Sequence, residues 1–145
     1  MTRYARRQAL AGALANPHDT VKKNCLPVLL NTSMATNIRK DMFDHATFIP
    51  SLMTLSRSGS GVVREKALSV LRNVANHEST KAPMFAFPGM MDTLMHVINL
   101  DLTDETKLAR ETALAVIQNI SNNDINPGRL ISKPGLMKML YDVFR

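Results

Sequence analysis

The stretch VREKALSVLRNVA, residues 63–75, places apolar or small side chains at relative positions 0, 4, 5, 7, 8 and 11. The same spacing recurs in VKKNCLPVLLNTS, residues 21–33, and in ARETALAVIQNIS, residues 109–121. This period is that of one broad face of an α-helix, and none of the three stretches alternates as a strand would. The three stretches therefore predict three long, equivalent helices.

Other landmarks step along the chain by the same intervals. Asn31, Asn73 and Asn119 are 42 and 46 residues apart. A period in the forties is typical of stacked helical repeats, in which each unit buries its apolar face only against its neighbours. This organisation favours a binding surface over an enclosed active site. Two further sets share the two intervals: Leu52, Leu94 and Leu140, and Thr47, Gly89 and Gly135.

Two more helices are predicted in each unit. A medium helix is expected over residues 48–55, 90–97 and 136–143, which align without gaps, and a short helical segment precedes each one. The unit is thus short helix, turn, medium helix, loop and long helix. We predict a single domain over residues 1–145, made of a partial unit 1–36, repeats 37–78 and 79–124, and a partial repeat 125–145.

Turn-forming residues mark boundaries inside these units. Pro83 and Pro127 stand where a short helix could begin, and the glycines of the third landmark set stand where the chain has to turn sharply. The register also predicts a medium helix over residues 6–15, in the partial first unit. Residues 1–18 hold arginines and no acidic residue, so this segment can also be read as a mitochondrial presequence. The repeat match favours the structural interpretation.

The end of each long helix resembles the armadillo repeat. That family has three helices per unit, a glycine between the first two, and a third helix ending in a run like A-x-x-L-x-N-L-A. The first occurrence of each landmark departs from the pattern. Thr47 stands in place of the glycine, and Pro27 lies inside the first long helix. The resemblance implies an all-α fold, a right-handed α-solenoid of about three armadillo-type repeats. The matching runs are VLLNTS, VLRNVA and VIQNIS, at residues 28–33, 70–75 and 116–121.

In armadillo proteins the third helices line a concave groove that holds extended peptides, and an asparagine ladder bonds the peptide backbone. The resemblance implies that Asn31, Asn73 and Asn119 contact a partner protein. An amide suits this role because it offers both a donor and an acceptor. The same amides can instead hold neighbouring helices or loops together, and both roles can coexist. The other predicted partner-binding residues are Lys23, Lys66, Ser69, Thr112 and Ala115.

The chain has no tryptophan, whereas importin-like members of the family carry one four residues before the asparagine. Those places hold Pro27, Ser69 and Ala115 here. A receptor for basic import signals is therefore not expected. The groove is predicted to be polar and mixed in sign, as in a catenin-like or generic scaffold.

The net charge of +6 belongs to one end of the chain. Residues 1–40 carry seven basic side chains and only Asp19 as an acid, whereas residues 41–145 are balanced. A positive end is available to an acidic peptide, a nucleic acid or an anionic membrane, or it is only a solvated face. A protein or peptide partner is the leading hypothesis. A nucleic-acid partner is the alternative, weakened because Tyr4 is the sole aromatic residue among the first 40.

No catalytic, metal or cofactor site is predicted. Gly59-Ser60-Gly61 lacks the third glycine and the preceding strand of a dinucleotide fingerprint, so it is interpreted as a linker. The four histidines show no metal-ligand spacing, and Cys25 shares its register position with alanines, which is typical of a small core residue. No apolar run approaches the roughly 20 residues of a membrane span. We expect a cytoplasmic or nuclear protein that is not an enzyme.

The C-terminal helix is unusually apolar. Residues 136–144 contain six large apolar side chains, and no long helix follows them. A terminal repeat normally presents a polar outer face. We therefore expect either a fragment of a longer solenoid or a protein whose exposed end docks on another chain or self-associates.

Overall fold

The computed structural model describes residues 2–145, and within that range it contains ten α-helices and no strand. The predicted all-α fold is thus confirmed, while Met1, the start of the predicted first unit, lies outside the described residues. The helices are α1 (Arg3–Leu14), α2 (Asp19–Ser33), α3 (Thr36–Asp44), α4 (Phe48–Ser58), α5 (Gly61–Ala75), α6 (Glu78–Ala86), α7 (Met90–Ile98), α8 (Asp104–Ser121), α9 (Asn126–Ser132) and α10 (Leu136–Phe144).

Equivalent helices pack on one another in rows. The long helices α2, α5 and α8, of 15, 15 and 18 residues, form one row in that order. Helices α1, α4 and α7 form a second row, and the short helices α3, α6 and α9 form a third. Each long helix also packs on the medium helix just before it in the chain. The result is an all-helical, repeat-like fold.

The centre of the core is α5, which packs on α2 along one side and on α8 along the other. Its predicted apolar stripe is completely confirmed, because the six side chains from Val63 to Val74 at those positions are at most 2% exposed. Ala67 and Ala113 are fully buried and Cys25 is 7% exposed, which agrees with a small residue at the helix contacts. Burial also raises the pKa of the Cys25 thiol.

The first long helix departs from the predicted stripe. Val21 and Val28 of α2 are 36% and 50% exposed, whereas their equivalents Val63 and Val70 in α5 are 2% and 0% exposed. The prediction that all three stripes are buried is therefore wrong at these two positions. The physical reason is that α2 stands at the edge of the row, and these residues face the side on which α5 and α8 each have a preceding long helix.

The turns before α7 and α10 require glycine. Gly89 and Gly135 both have φ of +79°, in the left-handed region that L-residues rarely adopt. A methionine from the preceding unit packs against each of them, Met53 against Gly89 and Met95 against Gly135. Thr47 occupies the same place before α4 with φ of −106°. Repeat 37–78 thus tolerates threonine because its turn has a different backbone geometry.

Two prolines lie inside helices rather than at their starts. Pro83 is the sixth residue of α6, which begins at Glu78, so the prediction that the short helix starts near Pro83 is wrong. Here the His77 side chain accepts from the Ser79 amide and starts the helix earlier. Pro127 does stand in the first turn of α9, as predicted. The helix α2 continues through Pro27.

Basic side chains from the short helices bind carbonyls at the ends of the long helices. The Arg39 guanidinium in α3 donates to carbonyls at the end of α2 and to the Asn76 carbonyl at the end of α5, the latter over 3.0 Å. Lys81, 42 residues further on in α6, donates to the Asn122 carbonyl at the end of α8 over 2.9 Å. Cations are favourable at helix C-termini, where carbonyls lack helical partners. Arg39 thereby ties the end of α2 to the end of α5, whereas Lys81 holds the end of α8 within its own repeat, 79–124.

Replacing Gly89 with alanine tests the turn geometry. We expect Gly89→Ala to lower the free energy of unfolding by about 1–2 kcal/mol, because an L-residue is strained at this φ. Gly12→Ala in α1 is the matched control, since its new methyl group meets nothing within 4 Å. That control should gain about 0.5–1 kcal/mol. Urea denaturation measures both, and equal effects of the two variants would contradict this account of the turn.

Candidate functional site

An open cleft of about 670 Å³ crosses the N-terminal parts of the long helices. It brings together two of the predicted binding residues, Lys23 from α2 and Lys66 from α5. The cleft is open on one side and has charged walls, whereas small-molecule sites are usually enclosed and mostly apolar. Its shape and charge therefore suit a polymer segment better than a small molecule. The remaining lining residues are Ser60, Gly61, Val62, Glu65, Asp104, Glu105 and Leu108.

One wall of the cleft is fixed by a bond between two helix starts. The Glu105 carboxylate, in the first turn of α8, accepts from the Gly61 amide at the start of α5 over 3.2 Å. A negative charge stabilises this helix end, whose own N-cap residue Ser60 makes no side-chain cap bond. A methyl group at Gly61 would come within 2.6 Å of Glu105 Cγ. Glycine at position 61 therefore leaves room for the Glu105 side chain. Sequence analysis interpreted this position only as part of a linker.

Glu65 makes two polar contacts in the middle of the cleft. Its Oε1 accepts from the Ser69 hydroxyl over 2.7 Å, and its Oε2 lies 3.7 Å from Lys66 Nζ. Ser69 itself is only 3% exposed. Thr112 is equally buried and its hydroxyl donates to the Leu108 carbonyl over 2.8 Å. Both hydroxyls are thus engaged inside the protein, and partner contact by Ser69 and Thr112 stays a prediction.

The asparagines connect neighbouring long helices. Asn73 Nδ2 donates to the Ser33 hydroxyl at the end of α2 over 2.9 Å, and Asn119 Nδ2 donates to the Arg72 carbonyl in α5 over 2.9 Å. Both amides are partly exposed, and Asn31 is exposed. Each bond uses one of the two amide hydrogens, so the other hydrogen and the carbonyl oxygen keep their bonding capacity. The interhelical role is present, and partner contact by the three asparagines stays a prediction.

The cleft and Asn73 lie on the same face of α5. Lys66 and Asn73 are seven residues apart, close to two helical turns, so their side chains point the same way about 10 Å apart along the helix. A chain lying along this face can therefore meet both residues.

Ala115 belongs to a different surface. It lines a groove of about 420 Å³ between α8 and α10, together with Leu114, Ile117, Leu140 and Phe144. Helix α10 buries Leu136 and Met139 but leaves Met137, Tyr141 and Phe144 more than half exposed. The C-terminal helix thus presents the apolar outer surface that its composition predicts. It lies apart from the cleft, so the structure does not unite Ala115 with Lys23 and Lys66.

Most basic side chains of the first 40 residues have partners. Arg7 pairs with Asp41, Lys40 pairs with Asp44, and Lys22 lies 3.8 Å from Asp19. Arg39 bonds helix-end carbonyls, as described above. These contacts were missed because the acidic partners of Arg7 and Lys40 lie in the part of the sequence that is neutral as a whole. The basic end is consequently less available than its net charge indicates.

Within residues 2–145, potential metal ligands and the thiol form no further site. No three His, Cys, Asp or Glu side chains of that range group as a metal site. The one thiol, Cys25, is buried and its Sγ lies 3.6 Å from the Leu10 carbonyl oxygen. None of the described helices has the length and apolar character needed to cross a membrane.

Comparison with known proteins leaves the chain without an assigned family. No protein-family model, no curated protein and no solved structure matches it. The resemblance to armadillo repeats therefore rests on the register of the units within this chain.

Proposed function

We propose that this protein is a protein–protein interaction scaffold, built as a right-handed armadillo-type solenoid, that binds a segment of a partner along its long helices. The observation that carries the proposal is the open cleft across α2, α5 and α8, with the half-exposed Asn73 two turns beyond Lys66 on the same face of α5. The row of equivalent long helices supports it, because such rows form extended binding surfaces. A cytoplasmic or nuclear location is part of the same proposal.

The asparagine amides suit recognition of a peptide backbone. After their interhelical bonds, Asn73 and Asn119 each retain one amide hydrogen and a carbonyl oxygen. A peptide bond offers the complementary acceptor and donor whatever its side chains. The interhelical bonds also orient the two amides, which lowers the entropy lost on binding.

Binding is favoured over catalysis by the chemistry of the cleft. Its charged groups are already paired with neighbours or stand singly on opposite walls, and the only thiol is buried in the core. A nucleic-acid partner is less supported than a protein, because Arg7, Arg39 and Lys40 are engaged within the fold. Phosphate binding needs several free cations on one face.

A pair of variants tests the role of Asn73. Asn73→Ala and Ser33→Ala both remove the interhelical hydrogen bond, but only the first removes the amide that a ligand would meet. Each should lose about 0.5–1.5 kcal/mol of unfolding free energy, a typical hydrogen-bond contribution. The probe is the tightest peptide selected on the wild-type protein from a random phage-displayed library, with affinity measured by isothermal titration calorimetry.

We expect Asn73→Ala to weaken peptide binding by about two- to tenfold, the equivalent of one hydrogen bond, and Ser33→Ala to leave it nearly unchanged. Equal losses in the two variants would mean that the amide acts only between helices. Failure to select any peptide would overturn the proposed function.

The apolar surface of α10 is proposed to mediate self-association. Phe144 is 77% exposed at the edge of the groove between α8 and α10. Exposed apolar surface of this kind commonly marks an interface. Light scattering over a range of concentrations should show a rising mean mass for the wild type and a lower one for Phe144→Ser. Tyr4→Ser, an exposed aromatic on α1, is the control, and a monomer at every concentration would contradict the proposal.

A further inference from the structure

Resting on the proposed function, we infer that the cleft selects an extended partner segment. This segment has an acidic side chain at one end of a short aliphatic stretch and a basic side chain at the other end. The acidic side chain lies against α2 and the basic one against α8. This assignment names the class of partner segment, which the proposed function leaves open. It follows from how the cleft distributes its charged and apolar side chains.

Five charged side chains line the cleft, and three of them are engaged. Glu65 lies beside Lys66, and Glu105 is held by the Gly61 amide. The other two, Lys23 and Asp104, have no ion-pair or hydrogen-bond partner within residues 2–145. They stand on helices α2 and α8, with α5 between them. The cleft thus offers a positive charge at one side and a negative charge at the other, and a partner of complementary polarity is favoured.

Aliphatic side chains lie in the same cleft. Val62 on α5 and Leu108 on α8 line it and are 62% and 55% exposed. The two residues are 46 apart and therefore occupy the same register position in successive units. Exposed apolar groups of this size gain by being covered. A partner segment with aliphatic residues between its charges would cover both.

The α2 wall also offers a backbone acceptor. Pro27 has no amide hydrogen, so the Lys23 carbonyl lacks its usual partner four residues on. Lys23, whose ammonium group has no partner among the described residues, thus also has a backbone carbonyl that lacks its helical hydrogen bond. An extended chain has outward-facing amides that suit such an acceptor.

The spacing of the helices sets the spacing of the charges. Packed helices lie about 8–10 Å apart, so two steps from α2 to α8 span about 16–20 Å. An extended chain advances about 3.3 Å per residue, which places the acidic and basic residues about five to six positions apart. The direction of the chain is decided by its backbone contacts, so one order of the two charges is preferred.

Two synthetic peptides of identical composition test this inference. Each has an acidic and a basic residue flanking an aliphatic stretch, in opposite orders, and binding is followed by fluorescence anisotropy at low salt. The wild type should prefer one order by about two- to fivefold, the range for an exposed ion pair. The double variant Lys23→Glu with Asp104→Lys should prefer the other order. Salt of about 1 M, where the Debye length is about 3 Å, should remove both preferences.

The control variant combines Arg129→Glu with Asp124→Lys, which changes the same charges at exposed residues outside the cleft. It should keep the wild-type preference. Asp104→Asn provides a milder variant, and urea denaturation verifies that each protein folds. The inference is overturned if the charge-swapped variant keeps the wild-type preference or if wild type binds both peptides equally.

The outcome for the proposed function is separate. Library-selected peptides that respond to Asn73→Ala but not to the charge variants would support the proposed function and overturn the charge order. If neither the designed nor the selected peptides bind, both proposals fail.

Discussion

Burial of the apolar face of α5 between α2 and α8 is the interaction on which the rest of the structure depends. Val63, Val70 and Leu71 are at most 2% exposed there, and each such side chain contributes about 1.5–3 kcal/mol when fully buried. Ala67 and Ala113 are small enough to let the long helices come close, and both are fully buried. The medium and short helices pack around this row.

The packing of the row creates the polar links that shape the surface. Asn73 reaches Ser33 across one helix pair, and Glu105 reaches Gly61 across the next. Both contacts join residues that are 40 or more positions apart in the chain. They fix the positions of the cleft walls and leave Lys23 to face Asp104 without a partner of its own. The proposed binding surface is thus a consequence of how the core is stacked.

Much of the fold could be predicted because it repeats. Ala67, Gly89 and Asn73 recur with their equivalents at matching positions along the chain. That register predicts which helices are long, where the chain turns and which helices pack in one row, and the helices follow that prediction closely. One cause of failure is that a repeat pattern treats all units as interior. Val21 and Val28 are exposed because α2 is at the edge of the row.

The candidate site was predicted less completely. Lys23 and Lys66 do share a cleft, but Ser69 and Thr112 are buried, and Ala115 lies on another surface. The roles of Gly61 and Arg39 depend on contacts with the neighbouring unit, Glu105 and Asn76 respectively. Such pairings join residues far apart in sequence and leave no periodic signal. Knowledge of the repeat therefore locates the surface but not the contacts within it.

Native-state hydrogen exchange measured by NMR tests the central role of α5 most directly. Amides in the most deeply packed element open only on global unfolding. The amide hydrogens of Val70 and Leu71 should exchange slowest, with protection decreasing through α2 and α8 to α1 and α10. Slowest exchange in α1 or α10, or uniform protection across the ten described helices, would contradict the account.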